Sequence, residues 1–170
     1  GTEKLHPIVA RGILLDIAGS KGVEFLEPGY LITMDDVRAA LLWQEMEDFE
    51  FQPGDALLFR TGWEKFWVVD NKRYNGGEPG IGMEVARWVA EIKAGVTGAD
   101  NWGVEVIPHP DPACVGCVHN FLQTRHGIVN QENLTLAELA RDGAYVFLYV
   151  FIPVPIKGAT GSIGSPIAVR

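Results

Sequence analysis

The sequence predicts a single α/β domain built on a mixed β-sheet. Apolar runs of strand length alternate along the chain with segments in which apolar residues recur at helical spacing. No internal repeat or low-complexity linker interrupts this alternation. With 170 residues, 47% of them apolar, the chain can bury one core, and we expect residues 1–170 to form one domain.

Two buried strands and one helix are predicted in the first half of the chain. The strands are the apolar runs "RGILLDIA" and "GDALLFRTGW", the second of which follows a Pro-Gly turn. Between them, "TMDDVRAALLWQ" has the chemistry of a helix: Thr33 can cap the first turn, where Asp35 and Asp36 suit the positive helix start. A polar loop rich in aromatic residues and glycine then runs to about Gly80, and loops of this length are more often functional than not.

The clearest amphipathic helix is "GMEVARWVAEIKAG". Its apolar face consists of Val85, Trp88, Val89 and Ile92, and Gly95 is predicted to end it. The β-branched residues of "VTGADNWGVEVI" then predict a return to a strand.

A helix and two strands are predicted in the last third of the chain. Thr135 and Glu138 fit a capping box in "NLTLAELARDG", and this helix should end before Gly143. The longest strand candidate is "AYVFLYVFIPV", and "SPIAVR" is a candidate for the last strand.

Charge and hydropathy exclude several classes of partner. The net charge of −8, without a run of Lys or Arg, argues against binding to nucleic acid or to anionic membrane surfaces. The longest apolar stretch contains two prolines and is shorter than the roughly 20 residues of a membrane span. No signal-peptide pattern opens the chain, so we expect a cytoplasmic protein.

His119 and Glu132 are candidate metal ligands in "CVHNFLQTRHGIVNQENL". They lie 13 positions apart on either side of an apolar turn at Gly127, so a helix and a returning segment could bring them to one point. Imidazole nitrogen and carboxylate oxygen suit Zn²⁺ or Mn²⁺. The spacing alone is equally compatible with an exposed histidine and a glutamate at a helix start.

A second constellation, "HPDPACVGCVH", overlaps this segment. His109, Cys114, Cys117 and His119 could form a zinc knuckle, or the two cysteines could be small buried thiols. Two cysteines do not make a disulfide framework. The glycines of "GATGSIGSP" lack the lysine of a phosphate-binding loop, and no G-x-S-x-G elbow indicates a serine hydrolase.

The whole chain resembles the cyclase family of metal-dependent hydrolases, which includes bacterial kynurenine formamidases and isatin hydrolase. The resemblance covers nearly all residues of the chain and rests on six segments in this order: "RGILLDIA", "GDALLFRTGW", "PGIGMEVARWVAE", "VTGADNWGVEVIP", "VHNFLQTRHGIVNQENLTLAELA" and "FIPVPIKGATGSIGSPIAV". The family pattern H-x-x-L-L-x-x-x-G-I-x-x-x-E-N-L implies that His119 and Glu132 are metal ligands. An upstream H-x-G-T-H-x-D-x-P-x-H motif, which supplies the other ligands and the acid/base histidine, is not found here, and "GTEKLHP" has Glu3 where a ligand histidine would stand.

The resemblance implies the C-terminal part of a swivelling β/β/α-type fold, assembled as a homo-oligomer. It also implies hydrolysis of a cyclic or aryl amide, a formamide of the kynurenine type or a lactone, by water that a Zn²⁺ or Mn²⁺ ion activates. Trp63 and Thr160 are candidates for the pocket wall, although core packing and a turn hydroxyl explain them equally well. The partners that the resemblance implies are a small-molecule substrate and the missing upstream segment. The alternative is a catalytically incomplete remnant or an assembly subunit with the same fold.

Overall fold

A computed structural model describes residues 1–170, with a six-stranded mixed sheet at its centre. The strand order is β6-β5-β3-β1-β7-β8, in which β6, β5, β3 and β1 run parallel and β7 and β8 pair antiparallel. Two further strands, β2 and β4, form a small parallel sheet. The strand bounds are Ile8–Asp16 (β1), Leu31–Ile32 (β2), Ala56–Arg60 (β3), Gly80–Ile81 (β4), Val96–Ala99 (β5), Val129–Gln131 (β6), Val146–Phe151 (β7) and Ile167–Val169 (β8). The predicted mixed α/β class is confirmed.

Six α-helices, two 3₁₀ turns and one π-helical turn connect these strands. The α-helices are Ile17–Ser20 (α1), Met34–Trp43 (α2), Asn71–Tyr74 (α3), Met83–Glu91 (α4), Cys117–His119 (α5) and Ala137–Arg141 (α6). The others are the 3₁₀ turns Thr2–Lys4 and Trp63–Phe66 and the π-helical turn Asn120–Arg125. None of the helices is long and apolar enough to cross a membrane.

The pleat of the central strands separates two apolar cores. Ile13 and Leu15 of β1 face the larger core, in which Val37 of α2 and Val85 of α4 are completely buried. Leu14 points to the opposite face and belongs to the second core, together with Phe147 of the neighbouring strand β7 and with Leu136 from the segment leading into α6. Both faces of β1 are therefore buried, which explains why "GILLD" reads as a continuous apolar run.

Helix starts and ends agree with the sequence at α2 and differ at α4. Thr33 and Asp36 form the reciprocal capping box of α2, with Thr33 Oγ1 accepting from the Asp36 N–H. At the end of α4 the residue with positive φ is Lys93, at 57°, so the prediction that Gly95 ends the helix is wrong. Gly95 instead passes beside Gly54, whose carbonyl oxygen would lie 3.0 Å from an added Cβ.

The capping box predicted for α6 is also wrong. Neither Thr135 nor Glu138 caps this helix; the carboxylate of Glu64, from the Trp63–Phe66 turn, accepts hydrogen bonds from the N–H groups of Leu136 and Ala137. Glu64, 72 positions before Leu136 in the sequence, thus caps this helix in place of the predicted Thr135 and Glu138. The end of the helix before Gly143, whose φ is 61°, is as predicted.

The longest strand is β1, with nine residues, rather than β7, with six. The first half of β1 pairs antiparallel with β7, from Ile8 opposite Phe151 to Ile13 opposite Val146. Its second half pairs in parallel with β3 as far as Asp16. Only Gly12 and Ile13 of β1 pair with both neighbouring strands, so β1 extends beyond each of its partners.

Candidate metal centre

Polar groups collect where the parallel strands end. Asp16 closes β1 and accepts from the Arg60 guanidinium at the end of β3, at 2.7 Å. Asp100 follows β5, is completely buried, and accepts from Thr61 and from the Gly62 N–H at 2.7 Å. Glu132 follows β6. Carboxyl ends of parallel strands are a common place for binding sites, so the candidate site lies where the topology favours one.

A short helix brings His119 to the same edge. Gly116 has a φ of 65°, and this turn lets α5 begin at Cys117 and continue as the π-helical turn to Arg125. Val118 and Leu122 are buried in the larger core and hold this segment against the sheet. His119 therefore lies at the end of a short helix, and Glu132 lies on the segment that returns through β6.

The two predicted ligands meet directly. His119 Nε2 lies 3.1 Å from Glu132 Oε1, and the Asn130 amide nitrogen lies 3.1 Å from the same oxygen. Two atoms that each lie about 2.0–2.2 Å from one ion, at an angle of about 90° (octahedral) to about 110° (tetrahedral), are about 2.8–3.6 Å apart. The side chains are 33% and 38% exposed, so an ion could reach both. The imidazole and carboxylate pair therefore fits a divalent metal.

Glu105 contacts the other side of the imidazole ring. Its Oε1 bonds with His119 Nδ1, and its Oε2 accepts from the Val118 N–H at 3.2 Å. The Glu105 side chain is only 5% exposed. Metal-binding histidines commonly donate their second ring N–H to a carboxylate, which fixes both tautomer and orientation. Glu105 was missed in the sequence, although an acidic residue between the two valines of "VEV" is an available signal.

The carboxylates also determine the charge of the imidazole. Hydrogen bonds with Glu105 and then Glu132 raise the pKa of His119 to about 9, against the opposing effect of its partial burial. Without a cation beside it, the ring therefore carries a positive charge at neutral pH. A bound cation at Nε2 would take the place of that proton between His119 and Glu132.

A buried polar group lies behind Glu132. Asn133 has a left-handed φ of 57°, and its Oδ1 accepts from the Tyr74 hydroxyl at 2.6 Å.

Glu78 is a second buried polar residue. It is fully buried, and its Oε2 accepts from the Trp102 N–H at 2.9 Å while Oε1 has no partner. Burial raises the pKa of Glu78 to about 8 and also raises the pKa of Tyr74. Glu78 is thus a neutral acid over most of the physiological pH range.

A cavity of about 550 Å³ opens beside Glu132. Its walls include Thr2, Asn130, Glu132, Thr160 and Ser162. Of the two predicted pocket residues, Thr160 is exposed and lines this cavity.

Trp63, the other predicted pocket residue, lies elsewhere. It is completely buried against Phe66 and Tyr74, and its indole N–H donates to the Tyr74 carbonyl oxygen at 3.2 Å. It does not line the cavity beside Glu132. Of the two roles considered for this residue, the structure shows core packing.

The second constellation divides into two groups. A ring nitrogen of His109 and the sulfur atoms of Cys114 and Cys117 lie within 4.8 Å of one another, whereas His119 faces Glu105 and Glu132. The cysteines are half-buried and joined to each other, so the interpretation as small buried thiols is wrong.

The sequence and the fold are similar to those of a known protein family. The model of the family described as putative cyclase matches residues 2–106. The crystal structure of a novel cyclase is 33% identical, with a TM-score of 0.78 over 95% of this chain and 53% of that chain. No curated protein matched the chain.

Two isatin hydrolases have the same fold at lower identity. One, bound to the product analogue thioisatinate, is 20% identical with a TM-score of 0.74 over 95% of this chain and 60% of its own. Isatin hydrolase A from Ralstonia solanacearum is 20% identical, with a TM-score of 0.75 over 100% of this chain and 64% of its own. The chain thus spans between half and two thirds of the length of these structures.

Proposed function

Because this chain belongs to the cyclase family, we propose that it forms part of the active site of a metal-dependent hydrolase. The observation that carries the proposal is the meeting of His119 Nε2 and Glu132 Oε1 at 3.1 Å, at the carboxyl end of β6. The family model itself ends at residue 106, before both residues. Their geometry is therefore support that is independent of the family match.

In this proposal His119 and Glu132 hold a Zn²⁺ or Mn²⁺ ion. Such an ion, when bound, lowers the pKa of water toward neutrality and polarises a substrate carbonyl. Glu105 accepts the Nδ1 proton of His119 and keeps the lone pair of Nε2 directed at the ion. The Asn130 amide donates to Glu132 Oε1 and limits the rotation of that carboxylate. Further ligands and the acid/base group would come from the upstream motif that the family resemblance implies.

The proposed substrate is a small cyclic or aryl amide, a formamide or a lactone. A cavity of about 550 Å³ beside Glu132 is of the size that holds a compound of one or two rings. The hydroxyl groups of Thr160 and Ser162 offer hydrogen bonds to the polar edge of such a ring. One structure of the same fold is an isatin hydrolase with a product analogue bound, which favours this substrate class.

Binding of Mn²⁺ to the purified chain tests the metal site. We expect replacement of Glu132 by Ala to abolish binding, because His119 alone is a single ligand for a hard cation. Glu138→Ala is the matched control, since that carboxylate is exposed on α6 and pairs only loosely with Arg141, at 3.9 Å. Undiminished Mn²⁺ binding by Glu132→Ala, measured by equilibrium dialysis or electron paramagnetic resonance, would contradict the proposal.

Turnover by the chain itself would exclude the alternative of a remnant or assembly subunit. A remnant or assembly subunit would bind metal without hydrolysing an aryl formamide such as N-formylkynurenine. Metal-dependent release of formate by the 170-residue chain, lost in Glu132→Ala, would exclude that alternative.

A further inference from the structure

A second group of metal-binding side chains lies next to the candidate centre and has no part in the proposed hydrolysis. A ring nitrogen of His109 and the Sγ atoms of Cys114 and Cys117 are all within 4.8 Å of one another. All three residues are half-buried, so they are held in place by the fold and remain within reach of an ion from solution.

The loop that carries these residues is restrained over its whole length. Asp111 accepts from the Cys114 N–H at 3.0 Å through its carbonyl oxygen, and its own N–H lies 3.0 Å from His109 Nδ1. Gly116, with a φ of 65°, then reverses the chain so that Cys117 becomes the first residue of α5. Three potential ligands from nine consecutive positions are therefore directed at one volume.

We propose that the reduced chain binds Zn²⁺ through His109, Cys114 and Cys117. Two thiolates and one imidazole are a ligand set that selects Zn²⁺ over Mg²⁺, Ca²⁺ or Mn²⁺. Three protein ligands leave the fourth tetrahedral position for water or another small ligand.

The site is the reduced form of a pair that the structure joins as a disulfide. A dithiol reductant delivers two electrons and two protons to the S–S bond, which breaks to give two thiols, and the reductant becomes its own cyclic disulfide. When Zn²⁺ binds, the two thiol protons pass to solvent and both sulfurs become thiolate ligands. An added disulfide oxidant accepts the two electrons and leaves as two thiols; this restores the S–S bond of the chain, removes both thiolate ligands and releases the ion.

The proposed site is separate from the pair of His119 and Glu132. His119 follows Cys117 by two positions, yet both of its ring nitrogens are occupied by Glu105 and Glu132. The two sites also differ in chemistry, since one offers sulfur and nitrogen and the other oxygen and nitrogen. Thiolate ligation can therefore be observed without interference from the carboxylate site.

Cobalt substitution of the reduced chain tests the proposal. The chain is reduced with a dithiol under anaerobic conditions, the reductant is removed, a thiol titration counts free cysteines, and Co²⁺ is added. We expect two free thiols and a thiolate-to-cobalt charge-transfer band that saturates at one equivalent and disappears when Zn²⁺ is added. A reduced chain that shows no such band, or whose disulfide resists the dithiol, would overturn the proposal.

Variants assign the band to its ligands. The Cys114→Ser/Cys117→Ser double variant should lose the band completely, and His109→Ala should bind Co²⁺ more weakly with a shifted spectrum. Glu132→Ala should keep the band in full, even if the hydrolase proposal fails, so the two proposals are judged separately. A band that His109→Ala leaves unchanged in position and affinity would remove His109 from the site. Circular dichroism of each variant verifies that it is folded.

Discussion

At the scale of single residues, Glu105 determines which way the His119 ring faces. Its buried carboxylate bonds to Nδ1 and to the N–H of Val118 in the same turn of helix, so ring and backbone are fixed together. We expect Glu105→Gln to weaken Mn²⁺ binding about 10- to 100-fold, the usual cost of losing such a partner. Titration calorimetry measures the change. An affinity equal to that of the parent chain would show that Glu105 has no part in orienting the ring.

Glu78 makes stability depend on pH. Burial raises its pKa from 4.5 to about 8. Below pH 4.5 it is protonated in both the folded and the unfolded chain; as the pH rises toward 8 only the unfolded chain ionises, so the free energy of unfolding falls. We expect Glu78→Gln, which stays neutral, to be more stable than the parent at alkaline pH, by an amount on the order of a few kcal/mol.

Urea denaturation across this pH range measures that difference. His119 and Asp100 also titrate in the range, but they do so in both proteins and cancel in the comparison. If the free energy of unfolding depended on pH in the same way for the parent and the variant, Glu78 would have to be ionised in the folded chain.

The predictability of the site also differs from residue to residue. His119 and Glu132 stand in one continuous pattern of 14 residues, so their meeting could be predicted from the sequence. Glu105 joins them only because an isolated bridge pairs it with Ile81, in the strand that precedes α4. Such a contact depends on how distant segments pack, and no local spacing encodes it.

At the scale of secondary-structure elements, the start of α6 depends on Glu64. Both carboxylate oxygens accept from N–H groups of the first turn, and the negative charge suits the helix start. We expect Glu64→Ala to lower the free energy of unfolding by about 1 kcal/mol, the usual cost of a lost helix cap. Chemical denaturation measures it. Thr135→Ala is the control, and it should leave the free energy of unfolding nearly unchanged. A larger decrease for Thr135→Ala than for Glu64→Ala would show that Thr135 caps the helix after all.

Most elements could be predicted, and the errors have a common origin. Thr33 and Asp36 interact within one turn, so the start of α2 is encoded locally. The start of α6 and the length of β1 depend instead on partners far away in sequence. The sequence pattern therefore placed the elements along the chain but assigned the cap of α6 to the wrong residues.

At the scale of the whole molecule, part of the sheet lacks a covering layer. Leu148 of β7 pairs with Val169 of β8, and both share a face with Val9, Val146 and Ile167. All five are at least 43% exposed, an apolar patch of the kind that marks a protein interface. We therefore keep the prediction of a homo-oligomer and propose that a second copy of the chain covers this face.

Sedimentation velocity tests this prediction. Leu148→Lys places a charge at the centre of the patch, and we expect it to shift the chain to monomers without loss of stability, because the position is exposed. Lys72→Glu, in the exposed helix α3 away from the patch, is the control. A parent chain that sediments as a monomer at every concentration would refute the assembly.

The attachment of residues 63–74 to the segment after Glu132 has a consequence for motion. Glu64 bonds to the start of α6 and the Tyr74 hydroxyl bonds to Asn133, so two links hold these segments together. We expect the two segments to open to solvent together. The amide hydrogens of Leu136 and Ala137 should therefore exchange with deuterium at the rate at which residues 63–74 detach. Glu132, the proposed metal ligand, would then adjoin a segment that opens together with a loop distant in sequence.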